Sequence, residues 1–203
     1  MEQTIVFATK NNGKLKEIRE IMANTGFTVV SMTDAGIAIE VVEDGDTFEA
    51  NALKKATEIA AVCGQIVLSD DSGLEIDYLG GMPGVQSARY MGEDTPYSVK
   101  NTAILAKLKD VPDNLRTARF VSVIAAAIPS ASGVETFTAR ATIEGIIAYE
   151  SKGENGFGYD PIFYVPAYSL TTAEMPPALK NEISHRGKAL RQMRALLAEK
   201  YSL

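Results

Sequence analysis

The segment Ser69-Asp70-Asp71-Ser72-Gly73 pairs two acidic residues directly after a short apolar run. Adjacent carboxylates at the end of a buried strand bring like charges together, which is costly unless a cation or a hydrogen-bond network offsets it. A divalent metal ion is the simplest explanation. The alternative is structural, because a turn of Asp, Ser and Gly at a strand end needs no ligand.

A second polar segment, Thr9-Lys10-Asn11-Asn12-Gly13-Lys14, connects an apolar run to a helical pattern. A turn at the start of a helix presents free backbone N–H groups and the positive end of the helix dipole, which favour an anion. The segment is not a Walker loop, because Ala8 replaces its first glycine and Leu15 replaces its metal-binding Ser or Thr. A phosphate site and a plain Asn-Gly turn with a solvated lysine both remain open.

The acidic segment 43–49 precedes a helix for which Thr47 is the expected N-cap. Carboxylates in a first turn stabilise a helix by ~0.3–1 kcal/mol each. Capping is therefore the favoured role for this segment when it is considered alone. Asn51 and Lys55 lie four residues apart and share one helix face, which points either into a cleft or into solvent.

The glycine-rich segment 153–160 carries Phe157 and Tyr159 next to Asp160. Glycines permit close approach of the backbone, and aromatic rings offer flat surfaces for a base. A flexible hairpin turn would also use the glycines, but it would not need the aromatic residues. The segment therefore favours a binding loop for a base.

The cationic segment 180–186 opens the last helix of the chain, with Ser184 as its candidate N-cap. A lone histidine such as His185 is usually a solvated surface residue. However, a first helical turn favours acidic residues over His185 and Arg186. This mismatch indicates an anionic or aromatic ligand.

The elements that must position these segments follow from hydrophobic periodicity. Strands are predicted over residues 4–9, 27–31, 37–42, 66–69 and 161–165, with an extended segment at 75–79 and a long strand pair at 117–128 and 133–147. Helices are predicted with apolar faces within 15–22 and 48–63, over 96–108, and after Pro176-Pro177. Helices that alternate with strands before a long β-pair predict an α/β fold with a mixed sheet and flanking helices. No domain boundary is predicted within residues 1–203.

Composition limits the function classes. The 203 residues are 46% hydrophobic and 23% charged, which is typical of a globular chain with a sizeable core. A net charge of −6 argues against DNA or RNA as a partner. One cysteine, Cys63, and one histidine exclude an internal disulfide and a zinc site of His and Cys, so that any metal must be a hard ion on carboxylates. Without a signal-peptide pattern or a run of ~20 apolar residues, a soluble cytoplasmic protein is expected.

Taken in order, five segments resemble the inosine triphosphate pyrophosphatase family. They are ATKNNGK, EDGDTFEANALKKA, SDDSGLEIDYLGGMPGVQSARY, GENGFGYDPIF and KNEISHRGKAL. The resemblance implies an elongated fold with two lobes around a central cleft, usually in a homodimer. It also implies Mg²⁺-dependent cleavage of non-standard purine nucleoside triphosphates (ITP, dITP, XTP) to the monophosphate and pyrophosphate. A pyrophosphatase for other modified nucleotides and a catalytically silent nucleotide sensor are the alternatives.

The same resemblance implies roles for individual residues. Asp71 would be the general base and, with Glu43, would bind Mg²⁺. The phosphates would be held by Thr9, Lys10, Asn11, Asn12, Gly13 and Lys14, with Lys55 and Arg89 as further cationic contacts and Ser72 as a substrate contact. The purine would be bound by Phe157, Gly158, Tyr159, Asp160, Lys180, His185 and Arg186. The role of Lys10 stays open, because many family members have a small residue there.

Overall fold

The computed structural model describes residues 3–23 and 25–201. The strands are β1 (Gln3–Ala8), β2 (Phe27–Ser31), β3 (Ile66–Ile76), β4 (Thr117–Ser130), β5 (Gly133–Ile147), β6 (Phe163–Val165) and β7 (Leu170–Thr171). The α-helices are α1 (Asn12–Ile21), α2 (Phe48–Cys63), α3 (Tyr97–Lys107), α4 (Pro177–Ile183) and α5 (His185–Tyr201). No helix within the described residues is long and apolar enough to cross a membrane.

The strands form one sheet in the order β2-β1-β3-β4-β5-β6-β7. Strand β1 runs parallel to both β2 and β3, whereas β6 runs antiparallel to both β5 and β7. Parallel and antiparallel pairs in one sheet confirm the predicted mixed α/β fold class.

The chain divides into two compact units. The first comprises the described residues of Met1–Asp71, Ser122–Ala141 and His185–Leu203, and the second comprises Ser72–Val121 and Thr142–Ser184. Strands β3, β4 and β5 each contribute residues to both units.

The core of the first unit is built from the apolar faces of α1 and α5 and from β1. Ile18 and Met22 from the α1 segment lie in one buried cluster with Leu190 and Met193 of α5 and with Phe7 of β1. These residues follow the predicted spacing of three and four along each helix. Burial of each such side chain contributes roughly 1.5–3 kcal/mol, which fixes the ends of β1 and α1 around the polar turn between them.

The core of the second unit is a separate cluster. It includes Leu74 and Ile76 of β3, Ile104 of α3 and Phe163 of β6. The rings of Phe120 and Phe163 have centroids 4.5 Å apart. Helix α3 and the end of β3 are therefore packed firmly into this core, so that they can fix the positions of the loops that contact them.

Two sequence predictions of secondary structure are wrong. Residues 37–42 do not form a strand: the chain turns after β2, and their side chains alternate between half-buried and exposed without joining the sheet. Asp70 and Asp71 do not lie in a turn at a strand end, because β3 continues through them to Ile76. Alternation of apolar residues predicts an extended segment, but it does not show whether a neighbouring strand is available for pairing. Adjacent acidic residues predict a turn when the cations that pair with them in the folded chain are not yet known.

Two further boundaries differ from the prediction. The extended segment predicted at 75–79 ends at Ile76 and gives way to a 3₁₀ turn over Asp77–Leu79. The predicted last helix is two helices, because α4 ends at Ile183 and α5 begins at His185. Ser184, with an extended backbone at ψ 158°, separates them.

Candidate active site

Asp70 is the centre of a buried ion cluster in the first unit. The Ser122 hydroxyl donates to its Oδ1 at 2.9 Å, the Arg186 Nε donates to its Oδ2 at 3.0 Å, and the Lys14 Nζ lies 3.1 Å from the same oxygen. Burial acts to raise the pKa of Asp70, but the charges of Lys14, Arg186 and Lys55 outweigh it and lower the pKa. Asp70 is therefore an ionised counter-ion for several cations.

The polar turn before α1 positions Lys14. Asn11 is the N-cap, and its Oδ1 accepts a hydrogen bond from the Lys14 backbone N–H at 3.0 Å. The Thr9 hydroxyl accepts one from the Asn11 N–H at 3.1 Å. Burial lowers the pKa of Lys14, and the charge of Asp70 opposes that shift. The first turn of α1 thus presents its N-terminus together with a buried lysine, an arrangement suited to an anion.

Arg186, in the first turn of α5, joins the same cluster. Besides Asp70 it contacts the Glu17 carboxylate of α1 through its Nη1. Burial acts to lower the pKa of Arg186, but Asp70 and Glu17 outweigh it and raise the pKa. The unfavourable cations at the start of α5 are explained by these acids, so the predicted contact of Arg186 with a purine stays a prediction.

Asp71 is held from α2. The Asn51 amide donates to Asp71 Oδ2 at 3.0 Å, and Asn51 Oδ1 accepts from the Gly45 N–H at 2.7 Å. A Cβ at Gly45 would lie 2.8 Å from Asn51 Oδ1, so only glycine fits this contact. Burial raises the pKa of Asp71 to about 6, with the charge of Lys14 opposing the shift and that of Glu43 adding to it. Asp71 is thus a carboxylate whose proton affinity its surroundings increase.

Glu43 and Lys55 complete this cluster. The Lys55 Nζ donates to Glu43 Oε1 at 2.6 Å and to the Asp70 carbonyl oxygen at 3.1 Å. The face of α2 that carries Asn51 and Lys55 therefore points toward the acidic residues. Thr47 caps α2 as predicted, because its hydroxyl accepts from the Ala50 N–H at 3.1 Å. The acidic segment accordingly does more than cap the helix.

Other residues of the predicted phosphate set are less buried. Lys10 pairs with Glu40 at 2.8 Å, and the two side chains are 72% and 79% exposed. Asn12 and Gly13 form the start of α1. Ser72 is half-buried in β3 and belongs to the second unit.

The second unit holds the predicted base-binding segment, of which we call residues 156–160 the base loop. Asp160 Oδ2 accepts from the Lys180 ammonium and from the Phe157 N–H, each at 2.7 Å, while its Oδ1 accepts from the Thr172 hydroxyl at 2.8 Å. The Lys180 ammonium lies 5.1 Å from the centroid of the Phe157 ring. A Cβ at Gly156, where φ is +75°, would lie 2.2 Å from Asp160 Oδ2. Asp160 and Lys180 thus fix the backbone and the ring of Phe157.

Tyr159 and Arg89 are linked through a neighbouring turn, residues 84–89, which we call the arginine turn. The buried Tyr159 donates from its hydroxyl to the Ser87 carbonyl oxygen at 2.7 Å. Arg89 ends this turn, and its Nε donates to Gln86 Oε1 at 3.2 Å. Within the base loop, the half-buried Phe157 is the more accessible aromatic ring.

The structure thus sorts the predicted residues into two groups. Lys14, Glu43, Lys55, Asp71 and Arg186 meet around Asp70 in the first unit, which also includes the buried His185 at the start of α5. Arg89, Lys180 and residues 157–160 lie in the second unit.

Sequence reasoning missed Glu17 and Ser122 as members of the cluster. Glu17 follows Lys14 by three residues and so shares its helix face, which was an available signal. Ser122 is a polar residue inside the apolar run of β4, which was another.

Among the described residues, no group of three or more His, Cys, Asp or Glu side chains could hold a metal ion. Glu43 and Asp71 remain as a pair of carboxylates whose charges interact. A pair of this kind suits Mg²⁺, which binds one or two protein carboxylates together with substrate phosphates and water.

The α/β fold and the buried ion cluster at a helix N-terminus define a protein built to bind and process an anion. The model of the Ham1 family matches residues 5–196, and the chain belongs to this family. Membership confirms the resemblance found in the five sequence segments.

Relatives and solved structures agree with this assignment. The chain is 49% identical to a dITP/XTP pyrophosphatase from Exiguobacterium sibiricum, over 95% of this chain and 96% of the relative. It is 46% identical to a dITP/XTP pyrophosphatase from Bacillus subtilis, over 97% and 98%. Its fold is similar to that of a HAM1 protein from Coxiella burnetii, with a TM-score of 0.86, 39% identity and coverage of 97% and 99%.

Proposed function

We propose that this protein hydrolyses ITP, dITP and XTP to the nucleoside monophosphate and pyrophosphate, with Mg²⁺ as its cofactor. The observation that carries the proposal is the cluster around the buried Asp70, in which Asp71 and Arg186 are buried and Lys14, Lys55 and Glu43 are half-buried. Relatives named dITP/XTP pyrophosphatase at 45–49% identity support the choice of substrate.

Glu43 and Asp71 are the residues that would hold Mg²⁺. When bound, the ion would neutralise charge on the phosphates and so stabilise the transition state. The small number of carboxylates fits this role, because the remaining ligands of Mg²⁺ in such sites come from the substrate and from water.

The chemistry of the chain itself follows from the cluster. Release of pyrophosphate requires cleavage of the anhydride bond between the α- and β-phosphates. Asp71 accepts the proton of the attacking water as the new oxygen–phosphorus bond forms and pyrophosphate leaves. Lys14, Lys55 and the N-terminus of α1, with residues 9–13, bind the triphosphate charge. Asn51 orients Asp71 throughout this step.

The second unit supplies the groups for the rest of the nucleotide. Phe157 offers its ring to the purine, and Lys180 and Asp160 hold that ring in place. Arg89 adds a cationic contact, and Ser72 a polar one. Inosine and xanthosine carry a carbonyl oxygen where adenosine carries an amine, so hydrogen-bond donors in the pocket favour the former and leave unpaired groups against the latter. His185 and Arg186, which belong to the first unit, are further proposed purine contacts.

The deciding experiment is a product assay with Mg²⁺ and a panel of ITP, XTP, dITP, ATP, GTP and dUTP. We expect pyrophosphate as the product, a clear preference for ITP, dITP and XTP, and loss of turnover in chelator. Release of inorganic phosphate, or equal rates on ATP and ITP, would refute the assignment. Absence of turnover on every nucleotide would favour the sensor.

The role of Asp71 is tested by Asp71→Asn, which keeps the shape of the side chain but removes the base. We expect kcat for ITP to fall by roughly 10²-fold or more, on the scale of general-base loss. The matched control is Asp44→Asn, an exposed acid of the neighbouring acidic segment that pairs with Lys54. A steady-state assay in which both variants keep near-normal turnover would contradict the assigned role.

We further propose that the protein acts in the cytoplasm as a homodimer on free nucleotides. The net charge of −6 supports a free nucleotide over a nucleic acid polymer, because a surface with excess negative charge repels an extended polyanion. Light scattering during gel filtration tests the dimer, and a mass of one chain at micromolar concentration would exclude it.

A further inference from the structure

Helix α3 buries two consecutive polar residues, Lys100 and Asn101. Their side chains are only 1% and 3% exposed. A buried lysine is costly unless its ammonium group is satisfied, and a buried amide likewise needs partners. Neither residue is among those that bind or convert the substrate in the proposed function, so their burial requires another explanation.

Lys100 holds the arginine turn. Its Nζ donates to the Ala88 carbonyl oxygen at 2.6 Å and lies 4.9 Å from the centroid of the Tyr97 ring. Ala88 directly precedes Arg89. The Ser87 hydroxyl braces the same turn, because it donates to the Gly84 carbonyl at 2.6 Å and accepts from the Leu74 N–H at 2.8 Å. Lys100 thus fixes the peptide group from which Arg89 extends.

Asn101 holds the base loop. Its Nδ2 donates to the Gly158 carbonyl oxygen at 3.1 Å. Gly158 follows Phe157 and adopts a φ of +70°, a left-handed conformation that favours glycine. The contact therefore fixes the backbone directly beside the proposed stacking ring.

Tyrosines connect the two loops to each other and to the same helix. The Tyr159 hydroxyl reaches the Ser87 carbonyl, and the Tyr159 ring packs edge-on against Tyr97 with centroids 5.1 Å apart. Tyr97 is the first residue of α3, one turn before Lys100 and Asn101. One helix end therefore anchors the arginine turn and the base loop together.

We propose that Lys100 and Asn101 are positioning residues: Lys100 fixes the arginine turn for phosphate binding, and Asn101 fixes the base loop for purine selection. The inference rests on the proposed function for the roles of Arg89 and Phe157. It adds that specificity in the second unit depends on the buried pair of α3. A purely structural pair would instead stabilise the fold without acting through either loop.

The kinetic test uses Lys100→Met and Asn101→Leu, which keep side-chain bulk but remove the donors. We expect Lys100→Met to raise KM for ITP about tenfold with little change in kcat, because uniform binding is lost. We expect Asn101→Leu to lower the preference for ITP over ATP about tenfold, since a displaced Phe157 ring misaligns the purine with the hydrogen-bond donors that distinguish the two bases. Thr102→Val, which removes an exposed hydroxyl contact from the same helix, is the matched control and keeps wild-type kinetics.

Double-mutant cycles identify the residue through which each side chain acts. In an Arg89→Ala background, Lys100→Met should change KM by less than about twofold, whereas in a Phe157→Ala background it should keep its full effect. In a Phe157→Ala background, Asn101→Leu should change the preference for ITP over ATP by less than about twofold, whereas in an Arg89→Ala background it should keep its full effect. The inference would be overturned if the effect of Lys100→Met were fully additive with that of Arg89→Ala, and the effect of Asn101→Leu fully additive with that of Phe157→Ala.

Hydrogen–deuterium exchange gives a readout that needs no turnover. Lys100→Met should accelerate exchange in residues 84–92, and Asn101→Leu should accelerate it in residues 156–160. Unchanged exchange in both segments would overturn the inference, as would faster exchange with wild-type KM and selectivity. Failure of the proposed function itself would appear separately, as inactivity of the wild-type protein on every nucleotide.

Discussion

Within residues 3–23 and 25–201, two arginines are buried, one in each unit, and their partners differ in kind. Arg186 of the first unit is 2% exposed and pairs with the carboxylates of Asp70 and Glu17. Arg116 of the second unit is 0% exposed and donates to backbone carbonyls of Ile147 and Ala148, both at 2.6 Å, and also to those of Leu108 and Val111.

The difference separates a structural cation from one that we propose to be functional. The carbonyls around Arg116 belong to the end of α3 and the end of β5, so the guanidinium group joins two elements that cannot move away from it. Burial lowers the pKa of Arg116. The cations around Asp70 are held by side chains, and in the proposed function the triphosphate takes over part of the pairing of Lys14 and Lys55. Charges in such a cluster are available for binding, whereas the charge of Arg116 is not.

The variant Asp70→Asn should have the largest effect on the first unit. It removes the negative charge that Lys14 and Arg186 share and keeps the shape of the side chain. Lys14 and Arg186 would then be buried with too little negative charge, which should cost roughly 3–5 kcal/mol of unfolding free energy. We also expect kcat/KM for ITP to fall by about 10³-fold, because both cations lose their positions. Urea unfolding and steady-state kinetics measure the two effects.

A stable Asp70→Asn variant with normal kinetics would show that the cluster is not organised by Asp70. The variant Glu17→Gln provides the matched comparison, because it removes only the second partner of Arg186. Its loss of kcat/KM should be smaller than that of Asp70→Asn.

Arg116→Met tests the other side of the comparison. Without the guanidinium group, several buried carbonyls lose their donor, and each such loss costs about 1–3 kcal/mol. We therefore expect a loss of at least about 3 kcal/mol in unfolding free energy, with kcat/KM unchanged within about twofold at temperatures where the variant is folded. Chemical unfolding and kinetics at low temperature make the measurement.

Arg119→Met is the control for Arg116→Met. Arg119 lies three residues further along the chain, pairs with Asp77 and Glu144, and is 28% exposed. Its replacement should cost much less stability than that of Arg116. An Arg116→Met variant that lost activity while keeping its stability would remove the distinction between the two buried arginines.

The sequence predicted elements well where local pattern decides the outcome. The pair β4 and β5 was expected because two long strand patterns flank Pro129-Ser130-Ala131-Ser132, and α2 was expected because Thr47 caps an apolar helix face. Residues 37–42 show the limit, since their alternation finds no pairing edge. The short helix α4 escaped prediction, although Ser184 was the candidate N-cap of the last helix and α5 does begin at His185.

The site was predictable in its charged residues but not in its connections. The sequence segments that contain Lys14, Lys55 and Asp71 can be recognised from their residue types. The contact between Asn51 and Asp71 could be predicted only by assuming that α2 packs with this face toward β3. Arg116 carried no sequence signal, because its partners are main-chain atoms that only the folded chain brings together. The counter-ion Asp70 is similar. The acid is visible in the sequence, but its partners Lys14, Ser122 and Arg186 come from α1, β4 and α5.

We expect the smallest effect from a substitution of Lys10. Lys10 and Lys14 lie in the same polar turn, so the effects of replacing an exposed and a largely buried lysine can be compared directly. Lys10 pairs with an exposed Glu40, whereas Lys14 has a 17% exposed side chain and pairs with Asp70. Exposed ion pairs contribute little, so Lys10→Ala should leave the urea midpoint unchanged and kcat/KM for ITP within about threefold. Lys14→Ala should reduce kcat/KM by more than about 10²-fold, because it removes a preorganised charge. Comparable losses in both variants would mean that burial does not distinguish the functional cations, and that Lys10 contributes as much as Lys14 to binding the triphosphate.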